Sequence, residues 1–239
     1  MPSRLTRKTV AWVRRLFLSH TLEEIRMAHV FKDSIVESDW LRQKSFSPSG
    51  YAANYTFLYV LFRILDDIQP QAVLELGAGQ TTRMTAQYVA YGNPKAMLTL
   101  VEHDPAWLSR VQARLPEHAH IRILTPAVEP YTVEGCRGIW YHNLPQQLES
   151  ARFDLMVIDG PVGTPQYSRA GFLDLIPQHL ADTFVIVMDD CHRSGERQTV
   201  ARLRCLLNAR RIPYGEAEYV GTKSQRLFYS PQYAFLKSI

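Results

Sequence analysis

The sequence predicts an α/β fold: a doubly wound, mostly parallel seven-stranded sheet that ends in an antiparallel hairpin and is preceded by a helical extension. Three observations carry this. From residue 71 onward, short apolar runs of strand length alternate with stretches of helical periodicity. Two strand-like runs near the end, Tyr214–Val220 and Arg226–Ser230, are separated by Gly221-Thr222-Lys223-Ser224-Gln225, which reads as a hairpin turn. Residues 1–70, by contrast, read as mainly helical and form an extension or lid on the domain at 71–239.

In the extension, Trp12, Val13, Leu16 and Phe17 share one helical face among basic residues; Arg4, Arg7, Lys8, Arg14 and Arg15 all precede the first acid, Glu23. Such a helix packs on its own domain or a partner, or lies on an anionic membrane surface as a peripheral contact. Thr21-Leu22-Glu23-Glu24 has the form of a capping box and predicts the start of a second helix. Ser45–Gly50 is a loop by composition, and Tyr51–Asp67 is an apolar helix that stops before Gln69-Pro70.

The alternation then runs in order. Strands are expected at Ala72–Leu76, Met97–Glu102, Ile121–Leu124, Phe153–Asp159 and Phe184–Asp190. Helices are expected at Thr81–Tyr91, Ala106–Leu115, Arg169–Leu180 (with an awkward Pro177) and Glu196–Arg210. Residues 131–150 break the pattern and read as an inserted hairpin. Right-handed crossovers leave few topologies for such a chain, all of the Rossmann-like kind.

Composition narrows the function. The 239 residues are 46% hydrophobic and carry a net charge of +4, which is too modest to imply nucleic-acid binding. No apolar stretch approaches the roughly 20 residues of a membrane span. Arg14-Arg15 interrupts the only apolar stretch near the N-terminus, against a secretory signal. Cys136, Cys191 and Cys205 match no zinc spacing and suit reduced thiols in a cytoplasmic protein.

Ligands in open α/β sheets sit at the carboxyl ends of the strands, where strand order reverses. The first strand here ends in Glu75-Leu76-Gly77-Ala78-Gly79 and runs into Gln80-Thr81-Thr82 at a helix start. Glycine there lets backbone pass close to a ligand. The second strand ends in Glu102, roughly 20 residues beyond Gly79, where an acid can accept both hydroxyls of a ribose. NAD and S-adenosylmethionine (SAM) both use such an acid. Thr82 stands where a dinucleotide loop has its third glycine, and Glu75 suits a zwitterionic amino-acid cofactor better than a pyrophosphate.

With these residues in place, the chain resembles the class I SAM-dependent methyltransferases. The runs Glu75-Leu-Gly-Ala-Gly, Val101-Glu102-His103-Asp104 and Phe153-Asp154-Leu-Met-Val-Ile-Asp159-Gly160 resemble that family's first, second and fourth motifs, over roughly residues 70–231. The resemblance implies that Glu75, Gly77 and Gly79 surround the methionine part of SAM and that Glu102 holds the ribose; Thr81, at the helix start, would add an N–H group and a hydroxyl to the cofactor site. The resemblance also implies that Ala127, in the loop after the third strand, borders the adenine, although the acid that many members carry there is missing.

The acceptor chemistry belongs at the next two strand ends. Asp159-Gly160-Pro161 ends one and Asp189-Asp190-Cys191-His192-Arg193 the other, on strands expected to lie about 4.8 Å apart. Three unpaired carboxylates would repel, so either a divalent cation such as Mg²⁺ on Asp159, Asp189 and Asp190 neutralises them, or one is protonated, or Arg169, Arg193 or His192 pairs with them. The pattern resembles the catechol-type metal-dependent O-methyltransferases, but with Asp-Asp for Asp-Asn, and with Val162 where that family has a lysine. A metal-free reading stands beside it, in which Asp159, Asp190 or His192 handles the proton and Arg169 or Arg193 binds an acidic group. Consecutive strand residues face opposite ways, so Asp189 and Asp190 converge only if the strand has already turned. Tyr51, Asn54, Tyr55 and Tyr167 are candidates for an acceptor pocket, and Gly160–Pro165 for a substrate loop. The expected activity is O-methylation of a small-molecule or sugar hydroxyl. The rivals are a NAD-dependent oxidoreductase and a non-catalytic SAM-fold scaffold.

Overall fold

A computed structural model describes residues 4–48, 50 and 52–239, with side chains from residue 18 onward. The first helix, α1, spans Arg4–Ser34 without a break. This corrects the expected helix start at Thr21. The Glu24 carboxylate, which a capping box would turn back onto the helix N-terminus, instead accepts bonds from Asn54 Nδ2 (2.7 Å), the Tyr55 amide (2.6 Å) and Thr56 Oγ1 (2.8 Å). The side chains of Trp12, Val13, Leu16 and Phe17, on which the membrane reading rests, lie outside the described residues. Farther along, Leu18, Leu22 and Ile25 are exposed on α1.

Helix α2 (Tyr55–Ile68) is capped by Asn54, whose side chain accepts from the Phe57 amide. It is apolar on most sides because it is buried on most sides. Phe57, Leu61, Ile64 and Leu65 pack with Val73, Leu155 and Val185 of the sheet and with Met27, Phe31 and Ile35 from α1 and just beyond it. Residues from Met27 to Leu65 therefore share the core of the following domain.

The sheet has the order β3-β2-β1-β6-β7-β9-β8. Its members are β1 (Ala72–Leu76), β2 (Met97–Val101), β3 (Ile121–Leu124), β6 (Phe153–Ile158), β7 (Leu180–Met188), β8 (Gly215–Val220) and β9 (Ser224–Tyr229). The first five pair in parallel, and β9 joins β7 antiparallel with β8 outside it. Strand order reverses between β1 and β6, which places the ligand crevice there. One face packs on α1, α2 and α3 (Gln80–Gln87), the other on α6 (Ser194–Ala209) and the inserted segment. A short α4 (Pro105–Gln112) follows β2, and a π-turn at Tyr88–Gly92 follows α3.

The insertion is a hairpin, as its composition predicts, but it opens earlier: β4 (Val128–Val133) pairs with β5 (Cys136–Tyr141). Glu134 (φ 49°) and Gly135 (φ 78°) make the two-residue turn, the backbone such hairpins favour. The short α5 (Leu144–Leu148) returns the chain to β6. The helix expected over Arg169–Leu180 is instead a 3₁₀ turn, Ala170–Leu175, and β7 begins at Leu180, before the expected Phe184. Pro177 disfavours a helical Ile176, which is extended, and Arg169 stands in the left-handed region with φ 60°. Among the described residues, no helix is long and apolar enough to cross a membrane.

Candidate functional site

A cavity of about 1000 Å³ opens over the carboxyl ends of β1, β2 and β6, beside the turn after β7. Its floor follows from two glycines. Gly77 has φ 92°, and a Cβ there would stand 2.9 Å from the Gly160 amide nitrogen. A Cβ on Gly160 would stand 2.7 Å from the Gly77 nitrogen and closer still to the Tyr141 hydroxyl. The loops after β1 and β6 thus touch backbone to backbone, which only glycine allows. At Gly79 an added Cβ would find open space.

Beneath this loop Glu75 is fully buried. Its Oε1 accepts from Thr81 Oγ1 (2.6 Å) and Thr82 Oγ1 (2.8 Å), while Oε2 has no partner. Thr82 Oγ1 also accepts from the Gly79 amide at 2.8 Å, so the residue that replaces a third glycine ties the loop to Glu75. Burial pushes the Glu75 carboxyl up to about 7, against the pull of the threonine hydroxyls. Glu102 is buried at the end of β2 and anchored at both oxygens: Oε2 accepts from the Ala78 amide and Oε1 from the Asp104 amide, each at 2.9 Å. Each oxygen keeps acceptor capacity. Gly77, Gly79, Thr81 and Glu102 all line the cavity.

The loop carrying Ala127 does not reach it. Ala127 is exposed and its carbonyl accepts from the His142 amide at 2.8 Å, so it serves the base of the hairpin and lies outside the described lining. His103, Asp104, Trp107 and Tyr141 line the cavity instead, residues that sequence reasoning missed. Trp107 had a readable signal, being an aromatic in the first turn after Glu102; its indole N–H donates to the Ala78 carbonyl at 2.7 Å. Tyr141 had none, because the register of an insertion is invisible without its partner strand. Its hydroxyl is buried without a partner, and an added Cβ on Gly160 would stand 2.4 Å from it.

At the other end of the cavity, Asp159, Asp189 and Asp190 offer carboxylate oxygens within 4.8 Å of one another. The convergence has a backbone cause. β7 ends at Met188, and Asp190 takes φ 60°, so the chain has left the pleat before the second aspartate. Asp159 and Asp190 line the cavity; Asp189 lies beneath, with Oδ1 accepting from Gln225 Nε2 at 2.7 Å. Burial and the Asp189 charge raise the Asp159 carboxyl well above the usual range, against the pull of Arg169. Burial, then Asp190, likewise raises Asp189.

Arg169 is the centre of the group. Its Nη2 stands 3.0 Å from Asp190 Oδ2 and 3.2 Å from Asp159 Oδ1. Its Nη1 donates to the Asp189 carbonyl at 3.2 Å and Nε to the Pro161 carbonyl at 3.3 Å. Lys223 Nζ lies 3.8 Å from both Asp189 Oδ2 and Asp190 Oδ1, and Arg193 Nη1 lies 3.0 Å from Asp190 Oδ2. Lys223 and Gln225 come from the final hairpin, which sequence reasoning placed only as a structural closure.

Several candidates fall elsewhere. His192 is exposed and outside the cavity lining, because the turn at Asp190 sends Cys191 inward and His192 out. Asn54 is spent on capping α2 and on Gln225. Tyr55 lines a smaller cavity of about 320 Å³ beside Glu24 and Lys223. The Tyr167 hydroxyl donates to Glu134 in the hairpin turn. Tyr51 lies outside the described residues. Within the expected substrate loop, Gly160, Pro161, Val162 and Gly163 do line the main cavity.

No family model and no curated protein matches the sequence. Solved structures do. The O-methyltransferase TomG of Streptomyces achromogenes, involved in tomaymycin synthesis and solved with SAM, aligns over 87% of this chain and 89% of its own at 14% identity, with a TM-score of 0.56. An O-methyltransferase of Bacillus cereus, solved with S-adenosylhomocysteine (SAH), aligns over 87% and 91% at 14% identity and a TM-score of 0.51. A precorrin-6y C5,15-methyltransferase of Geobacter metallireducens aligns over 78% and 94% at 12% identity, also at 0.51. The chain has the class I methyltransferase fold, with its mostly parallel seven-stranded sheet and closing antiparallel hairpin.

Proposed function

We propose that this protein is a SAM-dependent methyltransferase whose acceptor is a hydroxyl of a small molecule or sugar. The observation that carries the reading is the pair Glu75 and Glu102 on neighbouring strand ends. One is a buried carboxylate with an oxygen that nothing in the protein satisfies; the other is a carboxylate held rigid by two backbone amides under an open cavity. A buried orphan oxygen is costly and fits a cationic ligand group. Glu75 would receive the ammonium of an amino-acid cofactor, and Glu102 its ribose hydroxyls. A pyrophosphate would place like charge beside Glu75. When bound, SAM supplies a methyl group on a positively charged sulfur, ready for in-line displacement.

The rest of the work falls to the acidic end of the cavity. Asp159 faces the space where an acceptor would lie, and its raised affinity for protons suits it to take one from a hydroxyl. Asp190 and Arg169 line the same space and fix the orientation of Asp159. Alignment of acceptor and methyl group supplies most of the acceleration in such a displacement. The TomG and B. cereus structures support oxygen as the acceptor atom, as O-methyltransferases of the same fold.

Calorimetry with SAH, SAM and NAD tests the cofactor. SAH and SAM are expected to bind with micromolar affinity, and Glu102→Ala to weaken both at least tenfold while the variant stays folded by circular dichroism. Binding of NAD with no binding of SAM or SAH overturns the reading, and unchanged affinity in Glu102→Ala overturns the ribose assignment.

A further inference from the structure

Three carboxylates whose oxygens lie within 4.8 Å of one another invite a hard divalent cation. Here the centre of that group is already taken. The Arg169 guanidinium contacts four oxygens: Asp159 Oδ1 and Asp190 Oδ2 through Nη2, the Asp189 carbonyl through Nη1 and the Pro161 carbonyl through Nε. Those oxygens come from both strand-end loops, and Arg169 is 4% exposed. Its backbone is in the left-handed region, as is that of Asp190, so the main chain turns at both partners where they meet. Lys223 approaches the remaining oxygens of Asp189 and Asp190, and Arg193 approaches Asp190. Three carboxylates thus face three cationic side chains.

We infer that Arg169 is a built-in cation standing where a divalent metal would otherwise bind, so that the acidic cluster takes no Mg²⁺ or Mn²⁺ and the site works without one. Guanidinium does not give up its proton under any ordinary condition, and the carboxylates around Arg169 hold it charged all the more firmly. A dication entering the cluster would meet that fixed charge within a few ångströms, in surroundings that screen it poorly. Expelling Arg169 would strip four oxygens of their partner at once. Arg169, from the loop after β6, engages one oxygen each of Asp159 and Asp190, and Asp189 Oδ2 and Asp190 Oδ1, which accept no hydrogen bond, face the Lys223 ammonium at 3.8 Å. Arg169 also lines the main cavity, so its charge sits beside the place where an acceptor oxygen would surrender its proton to Asp159. The filling of the cluster rests on these contacts alone, and only the catalytic consequence rests on the methyltransferase reading.

The test is direct titration of Mn²⁺ and Mg²⁺ into the full chain, followed by calorimetry, by the spin-resonance signal of free Mn²⁺ and by Tm with and without chelator. It uses neither cofactor nor acceptor, so its outcome is independent of the proposed activity. The wild type is expected to show no saturable binding up to millimolar metal and no change of Tm with chelator. Arg169→Lys is expected to stay folded and to refuse metal as the wild type does. Arg169→Met, which leaves the carboxylates short of a cation, is expected either to lose several degrees of Tm that Mn²⁺ restores, or to gain at least tenfold in Mn²⁺ affinity. Micromolar Mn²⁺ binding by the wild type, or an Arg169→Met variant with wild-type Tm and no metal affinity, overturns the inference; if Arg169→Met does not fold, the wild-type and Arg169→Lys titrations decide it.

Discussion

Glu75 shows how much a single residue can state about a site. Its carboxyl is pushed from 4.5 to about 7 by burial. Over that interval the unfolded chain releases its proton while the folded chain keeps it, so the folded state binds more protons. Stability of the cofactor-free protein therefore falls as pH rises from about 4.5 to about 7, by roughly 3 kcal/mol in all, and levels off above. An ammonium placed against Glu75 favours the ionised form, so cofactor binding below about 7 should release a proton. SAH affinity should then strengthen by up to about tenfold per pH unit below that point and flatten above it. Calorimetry in buffers of different protonation enthalpy counts the proton, and Glu75→Gln should abolish the release and weaken SAH. A pH-independent affinity would place the ammonium elsewhere. Gly77→Ala belongs at the same scale: the positive φ and the 2.9 Å approach to Gly160 predict a loss of about 2–3 kcal/mol, read by chemical denaturation. Glu75, Gly77 and Glu102 were legible in the sequence because each is fixed by its place in a local strand–loop–helix unit. That Arg169 pairs with the carboxylates was one of the alternatives the two strand ends left open; its place between Asp159 and Asp190 was not legible, since only the sheet brings those residues together.

At the scale of elements, the inserted hairpin is where sequence and structure part most instructively. Its existence shows in the break of the strand–helix alternation, and Gly135 marks the turn. What it delivers does not show. Pairing Val128 with Tyr141 and Glu129 with Trp140 buries both aromatics against the far face of the sheet, and Trp140 packs so tightly on Gly171 that a Cβ there would stand 2.1 Å from its ring. Tyr141 then reaches the cavity with a hydroxyl that has no protein partner. Burial, first, and the charge of Glu102 keep that hydroxyl protonated, so it acts as a donor. Tyr141→Phe removes a buried unsatisfied group and should leave the cofactor-free protein as stable or more stable, by about 1 kcal/mol. SAH should bind about three- to tenfold more weakly if the hydroxyl donates to it. Denaturation and titration on one preparation separate the two effects, and a loss of stability with unchanged affinity would make Tyr141 a packing residue only. The 3₁₀ turn at Ala170–Leu175 makes the complementary point. Helical periodicity in Arg169–Leu180 is real, but Pro177 and the left-handed Arg169 override it, and the same turn aims the guanidinium at the cluster.

At the scale of the whole molecule, strand order is what makes a site of scattered residues. Placing β6 between β1 and β7 sets the cofactor loop and the acidic cluster at two ends of one cavity. Adding β9 beside β7 brings Lys223 and Gln225 under the aspartates. The chain is then closed on itself by Glu24. That one carboxylate accepts from Asn54, Tyr55 and Thr56 at the start of α2 and from the Thr222 amide at the tip of the final hairpin, at 3.3 Å. Asn54 in turn accepts from Gln225 at 3.1 Å, and Gln225 donates to Asp189. A Cβ on Gly221 would stand 2.1 Å from Glu24 Oε2 and 2.4 Å from Thr56 Oγ1, so a side chain at the hairpin tip would have to displace the Glu24 carboxylate from its donors. Hydrogen bonds to a charged group each contribute about 1.5–3 kcal/mol, but several donors share this acceptor and part of it is solvated. Glu24→Ala should therefore cost about 2–3 kcal/mol in total. Gly221→Ala should cost about 2 kcal/mol through the same contact. Because each variant breaks what the other needs, the double variant should lose less than the sum by at least about 1 kcal/mol. Urea denaturation of the four proteins closes the cycle. Simple additivity would mean that Glu24 and the hairpin tip hold the chain independently, and that α1 rests on the domain without being latched to its far end.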